Sequence, residues 1–438
     1  MKTLTKLSTR LMEKYLPDPF IFVILLSLVV FVLSMITTGS SPLQMTSFFG
    51  EGFWGLMEFT VQMSMVLLTG HVMAKSTPFK SLLSRLASVP NTAGQAIVLV
   101  SVVAALACFI NWGFGLVLGV LFAKEVARQR DDTDYRLLIA SGYSGFLVWH
   151  GGFSGSIPLT VATEGHPFVE QIGIILITDT VFTFGNLLIV ALLVVTIPIL
   201  NFFMHPEKSE RYIIDPELLV EPGPEPKPEN MTPAERLENS RVLNYIIGAI
   251  GIVYVIYHFS VNGLDLNLNI VNFIFLFTGL ILHGTPRNYI EAVFEAVRGV
   301  GPILIQFPFY AGLMGMMVES GLAAQITEIF VSASNEVTFP LFAFLSAGVV
   351  NFFVPSGGGQ WAVQAPVMIG AAMELGIEQS KMAMAVAWGD AWTNMIQPFW
   401  ALPALAIAGL RARDIMGFCV WALVVSGFII GMVMLFIF

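Results

Sequence analysis

The feature that most constrains this chain is a series of apolar stretches, most long enough to cross a membrane and four of them broken in the middle. Residues 20–36 form an uninterrupted apolar run, close to the roughly 20 helical residues that span about 30 Å of hydrocarbon. Residues 56–74, 172–203, 242–259, 268–282, 300–318 and 415–438 read as further spans. Charged residues are only 12% of the chain, about half the share in a soluble domain, so lipid is the main solvent. The two cysteines, Cys108 and Cys419, lie in apolar runs and indicate neither a disulfide framework nor a metal cluster. The net charge of −9 comes largely from one acidic loop and gives no reason to expect nucleic acid as a partner.

The broken stretches are more informative than the plain ones. Residues 93–123 are interrupted at Asn111-Trp112-Gly113-Phe114-Gly115, and residues 339–375 at Pro355-Ser356-Gly357-Gly358-Gly359. Residues 137–162 are interrupted at His150-Gly151-Gly152-Phe153-Ser154-Gly155-Ser156, and residues 382–408 at Asn394-Met395-Ile396-Gln397-Pro398. Breaking a helix in lipid frees backbone groups that only protein or water can satisfy, so such breaks line a cavity or a buried site.

The breaks are also paired. Shifting residues 51–115 by 244 positions gives ten identities, among them Gln62/Gln306, Asn91/Asn335, Gly113/Gly357 and Gly115/Gly359. We therefore expect an all-α polytopic membrane protein made of two inverted repeats, each with a re-entrant hairpin and an interrupted helix. Residues 1–204 form the first repeat and 261–438 the second. A cytoplasmic, proline-rich acidic linker (205–241) and a connecting transmembrane helix (242–260) lie between them. Charge gives the orientation. With the N-terminus inside and each of 93–123 and 339–375 entering and leaving on one side, 20 of the 21 Lys and Arg residues fall inside, and only Lys381 is outside.

Half-helix N-termini offer amide donors to an anion, and half-helix C-termini offer carbonyls to a cation. The tip at Ser356, Gly357, Gly358, Gly359 and Gln360 is expected to curl into an anion-binding nest, opposite Asn111, Gly113 and Gly115. Asp390, in an otherwise apolar stretch, is the acidic residue whose burial costs most, and Asn394 follows one turn later. The expected substrate-binding set is Asn111, Gly113, Gly115, His150, Ser154, Ser156, the tip from Ser356 to Gln360, Thr393 and Asn394. The expected cation-coupling set is Asp390, Asn394, Asn111 and Ser356. Against each stands a bland reading: the glycines as tight turns, His150 as a packed neutral ring, and Asp390 as a group fixing the bend at Gly389. Asp179, among Thr178, Thr180 and Thr183, reads equally as a satisfied structural carboxylate. Glu58, Glu319 and His71 read as interfacial, and Trp112, Trp361 and Trp392 as candidate walls for an acyl chain. No phosphate-binding loop, metal-ligand spacing or nucleophile–base pair is present, which argues against an ATPase or a hydrolase.

Tyr15-Leu16-Pro17-Asp18-Pro19-Phe20, Asn111-Trp112-Gly113-Phe114-Gly115, the run from Trp149 to Ser156 and Pro355-Ser356-Gly357-Gly358-Gly359-Gln360-Trp361 together resemble the bacterial short-chain fatty acid transporters. That resemblance covers essentially the whole chain. It implies uptake of acetoacetate, butyrate or similar small monocarboxylates across the bacterial inner membrane by symport with H⁺ or Na⁺. It also implies a homodimer in which an elevator domain moves against a scaffold, with no cofactor. The Ser-Asn-Thr tip signature of the wider ion-transporter superfamily is absent. The coupling ion therefore stays open, including Na⁺ at the hairpin tips. The contrasting expectation is a passive anion channel, which would place its selectivity in a continuous pore.

Overall fold

The computed structural model describes residues 19–219, 231–397 and 400–438. The basic residues before Pro17, the motif at 15–18, the linker core at 221–229 and Pro398 lie outside the described residues. Every regular element among the described residues is a helix. The first half holds α1 (Pro19–Thr38), α2 (Pro42–Gly52), α3 (Met57–Ala74), α4 (Thr77–Ala87), α5 (Ala93–Ile110), α6 (Trp112–Gln129), α7 (Tyr135–Ser144), a 3₁₀ segment (Gly145–Gly151), α8 (Ser156–Val161) and α9 (Phe184–Phe203). The second half holds α10 (Arg241–Asn262), α11 (Leu268–His283), α12 (Pro286–Glu319), α13 (Leu322–Ala333), α14 (Phe339–Asn351), α15 (Gly357–Leu375), α16 (Gln379–Thr393), α17 (Ala401–Ala408) and α18 (Ala412–Phe436).

Five of these, α5, α9, α10, α12 and α18, are long and apolar enough to cross a membrane, and the pair α2–α3, bent by 52°, qualifies when taken together. Short polar side chains start many of them. Ser41, Thr92, Asn111, Asp134, Thr183, Ser240, Thr285 and Ser356 each accept an N–H of the first turn, which no intrahelical carbonyl can serve.

Two expectations from the sequence are corrected. Residues 172–203 do not form one helix. Gly173 adopts φ +64° and Ile177–Asp179 forms only a 3₁₀ turn, so the helix starts at Phe184. The cause is local: Thr180 and Thr183 donate to backbone carbonyls of the same segment, offering the chain an alternative to the helical ladder. Asp179 is thus an exposed turn residue, not a carboxylate within a span. The glycines at 357–359 do not form a loop either. The break is at 352–356, and the three glycines are the first turn of α15.

α5 and α6 are joined by the single residue Asn111 and run antiparallel in close contact. A Cβ on Gly115 would lie 2.2 Å from Cys108 N, and one on Gly119 3.0 Å from the Ala104 Cβ. α14 and α15 form the second hairpin. Gln360 Nε2 donates to Ala347 O at 2.9 Å, and Gln364 Nε2 to Ser346 Oγ at 3.0 Å. The two hairpins pack with α7, α8, α9, α16 and α18, while α1, α2, α3, α10, α11 and α12 pack with one another. The two groups meet where α3 touches α6 and α12 touches α15.

Candidate functional site

Both hairpins turn on a residue with nearly the same backbone. Asn111 has φ −154°, ψ 126° and Ser356 has φ −155°, ψ 118°. In each the side-chain oxygen folds back as an N-cap: Asn111 Oδ1 accepts from Phe114 N at 2.9 Å, and Ser356 Oγ from Gly359 N at 3.5 Å. The two caps are 356 − 111 = 245 positions apart, one more than the repeat offset, because the second tip is longer.

The interrupted helices dock on these tips. At the first break, Trp112 N–H donates to Ser154 Oγ (2.8 Å) and Phe153 N–H to Phe109 O (2.7 Å), so the gap after Gly151 is held by the first hairpin. Gly152 permits this approach, since a Cβ there would lie 2.1 Å from Phe109 O. Ser156 is buried in the first turn of α8.

The centre of the site is an ion-pair-type contact between the two interrupted helices. His150 Nε2 lies 3.1 Å from Asp390 Oδ2, and both residues are fully buried. The second tip leans on the same imidazole, because a Cβ on Gly357 would lie 2.6 Å from His150 Nε2. Next to the pair, Asn394 Oδ1 accepts from Trp149 Nε1 (3.1 Å) and Asn394 O from the Tyr143 hydroxyl (2.7 Å). The Thr393 hydroxyl donates to Gly348 O (3.0 Å) and accepts from Asn351 Nδ2 (2.9 Å). Asn351 also donates to Asp390 O at 3.0 Å, tying the leg of the second hairpin to α16.

Several buried polar atoms here lack a protein partner: Asp390 Oδ1, His150 Nδ1, Asn394 Nδ2, Asn111 Nδ2, Trp112 Nε1 and Gln360 Oε1. Leaving one such atom unmet costs about 1–3 kcal/mol, so a polar ligand reaching the breaks would find donors and acceptors to meet. Asn111, however, faces α3, where a Cβ on Gly70 would come within 2.4 Å of its Oδ1, and its links to the His150–Asp390 pair run through Trp112. The tip glycines divide their contacts likewise. Gly358 abuts Phe59 and Phe307, and Gly359 abuts Tyr310.

Of the three tryptophans expected to line an acyl pocket, only Trp112 lies at the site, 5.7 Å from Trp149 and 5.0 Å from Trp400 between ring centroids. Trp361 packs on Phe168, while Trp392 packs on Phe344 and donates to Leu423 O. Sequence reasoning missed Trp149, Tyr143, Asn351 and Asn186. Asn186 is buried and bonds Gly151 O (2.9 Å) and Trp388 Nε1 (3.0 Å). Asn351 and Asn186 both carry the signal that picked out Asp390, a polar side chain within an apolar run. Two cavities of about 600 Å³ each lie elsewhere, one lined by Thr178, Asp179, Gln379 and Lys381, the other by Tyr254, His258 and Asp265. Neither is lined by His150 or Asp390.

The fold matches two solved transporters. The YdaH transporter of Alcanivorax borkumensis aligns with a TM-score of 0.58 at 15% identity over 95% of this chain and 98% of its own. MtrF of Neisseria gonorrhoeae, described as illuminating a class of antimetabolite efflux pumps, aligns with a TM-score of 0.50 at 14% identity over 98% and 97%. These likenesses establish a shared fold. Sequence relatives are much nearer. Proteins of Escherichia coli (strain K12) and Haemophilus influenzae are 48% identical over 433 residues and 46% identical over 442 residues. Each match covers 98% of both chains, and both proteins are provisionally named short-chain fatty acid transporters. The family model for short chain fatty acid transporters matches residues 1–437. This chain, a helical protein with several helices able to cross a membrane, belongs to the short-chain fatty acid transporter family.

Proposed function

We propose that the protein is a secondary active carrier that takes up short-chain carboxylates such as acetoacetate or butyrate together with a cation. The observation that carries this reading is convergence: both interrupted helices and the second hairpin tip meet at the fully buried His150–Asp390 pair. A channel would run a continuous pore through this point, whereas both residues of the pair are fully buried. The contact between the two helix groups also favours movement. Gly113 meets Leu67 of α3, and Gly358 meets Phe59 and Phe307, giving a glycine-lined seam on which the hairpin-bearing body can slide. In this reading the two halves are inverted repeats, the hairpin-bearing group is the elevator, and the group of α1–α3 and α10–α12 is the scaffold of a homodimer in the inner membrane.

Proteoliposome counterflow tests it. External labelled acetoacetate should enter faster when the vesicles are preloaded with unlabelled acetoacetate, whereas a channel shows no acceleration. Failure of preloading to accelerate entry would reject the carrier.

The inside orientation of the basic segments is supported by their clustering at one end. Tyr135 N donates to Tyr212 O (2.8 Å), Arg136 pairs with Asp134 (2.7 Å), and the Tyr135 hydroxyl donates to Ala408 O (2.8 Å) beside Arg411. Arg130 bonds Asp132 there and holds its carboxyl below the usual range. Both native cysteines are buried, so introduced thiols can be read cleanly. A cysteine at Ser209 should be silent to an impermeant thiol reagent in intact cells, and one at Glu378 should label. Labelling at Ser209 from outside would overturn the topology.

A further inference from the structure

We infer that the ion carried with the substrate is a proton, and that the His150–Asp390 pair is the group that carries it; this rests on the carrier reading above. The resemblance left sodium open, and the buried pair suits a proton. Of the five side-chain oxygens expected to serve a cation, four already face a donor and Asp390 Oδ1 does not. Asp390 Oδ2 faces the His150 ring nitrogen, Asn394 Oδ1 accepts from Trp149, Asn111 Oδ1 from Phe114 N, and Ser356 Oγ from Gly359 N.

A proton, by contrast, fits the pair without dismantling it. Asp390 Oδ1 and His150 Nδ1 are both buried and unpartnered, so the pair can gain a proton while the bond between Nε2 and Oδ2 persists. A neutral imidazole with a carboxylate carries −1, and adding one H⁺ brings the pair to zero, whichever atom holds it. A loaded site then contains one proton and one substrate carboxylate, and has the same charge as the empty site. Over a full cycle one H⁺ and one anion cross together, so no net charge is moved and the membrane potential does not oppose uptake.

Among the described residues, each member of the pair has the other as its only charged contact. α5, α8, α9 and α14 carry no charged residue. On the other elements packed against it the charges lie toward the ends: Lys124, Glu125 and Arg128 on α6, Arg136 on α7, Glu374 on α15, Lys381 on α16, and Arg413 and Asp414 on α18. The neutral titratable groups on those elements are Tyr135 and Tyr143 on α7, Cys108 on α5 and Cys419 on α18; Tyr310 of α12 packs against the second tip. Because the pair joins the first interrupted helix to the second and touches the tip at Gly357, its protonation state is felt by all three elements that meet at the site.

The test uses the full chain in liposomes with labelled acetoacetate, subtracting the flux into protein-free vesicles to remove permeation of the undissociated acid. An exterior one pH unit more acidic should raise the initial rate by up to about tenfold, the change in proton activity. A sodium gradient at fixed pH and a potassium diffusion potential should each leave the rate unchanged. In Asp390→Asn and His150→Gln, counterflow should fall less than pH-driven uptake, so that the ratio of the two changes at least about fivefold. If one variant does not fold, the other carries the comparison. Sodium-driven uptake, uptake that follows the membrane potential, or a variant that keeps the wild-type ratio would overturn the assignment. Wild-type protein that shows no counterflow at all would instead reject the carrier reading on which it rests.

Discussion

Replacing Gly115 with alanine leaves little folded protein, because the new Cβ would lie 2.2 Å from Cys108 N and 2.4 Å from its Cα. Neither atom can move as a side chain can. Both belong to the backbone of α5, which α6 contacts through this glycine immediately after the turn at Asn111. Relief requires the two legs of the hairpin to separate, and that also pulls Phe109 and Trp112 away from their bonds to the first break. The expected cost is at least about 3 kcal/mol, the upper end of overpacking penalties. In detergent the variant should show a large fall in melting temperature or no monodisperse peak. Gly50→Ala is the control. Nothing lies within 4 Å of a Cβ at that position in α2, so the change should be neutral or stabilise by up to about 1 kcal/mol. Equal melting temperatures for Gly115→Ala and the wild type would show that the hairpin is not packed as described.

The hairpins were legible in the sequence because their chemistry is local. An Asn or Ser that can cap a helix, followed by small residues, in the middle of an apolar run, identifies both the turn and the close approach behind it. Their details were not. Pro355 and its neighbours lengthen the second break by residues that pair with nothing in the first, so a fixed repeat offset misplaces the cap by one. The threonines before Phe184 read in the sequence as part of a span because apolar residues surround them. Their hydroxyls decided otherwise by bonding to the nearby backbone.

The site was legible as a list but not as an arrangement. Burial cost alone singled out Asp390, and His150 stood out beside a pair of glycines. Their partnership spans 240 residues, and no local pattern encodes it. The same holds for Trp149 with Asn394, and for Asn351 with Asp390 and Thr393. The Thr393 hydroxyl, expected to touch substrate, bonds Gly348 O and Asn351, because a hydroxyl near the end of a buried helix finds the neighbouring hairpin first. Asn111, expected near Asp390, is drawn to α3 by the gap that Gly70 leaves.

The second large effect is expected at Gly357, where the neighbour is the imidazole rather than backbone. A methyl group there would lie 2.6 Å from His150 Nε2 and 2.8 Å from Trp149 Cη2. Side-chain ends can give way, so Gly357→Ala should fold with a melting temperature close to that of the wild type. The movement it forces, however, falls on the atom that contacts Asp390 at 3.1 Å and on the ring that donates to Asn394. Hydrogen bonds to charged groups are worth about 1.5–3 kcal/mol, so acetoacetate exchange should drop by about tenfold to a hundredfold. Gly376→Ala separates this from a general effect of altering α15. That glycine ends the helix at φ +70° with nothing within 4 Å of a Cβ, so the cost there is backbone strain at the far end and transport should fall far less. Wild-type exchange by a well-folded Gly357→Ala protein would mean that the second tip touches His150 without acting through it. The coupling of tip to pair would then have to be sought at Asn351, which joins the other leg of the same hairpin to Asp390.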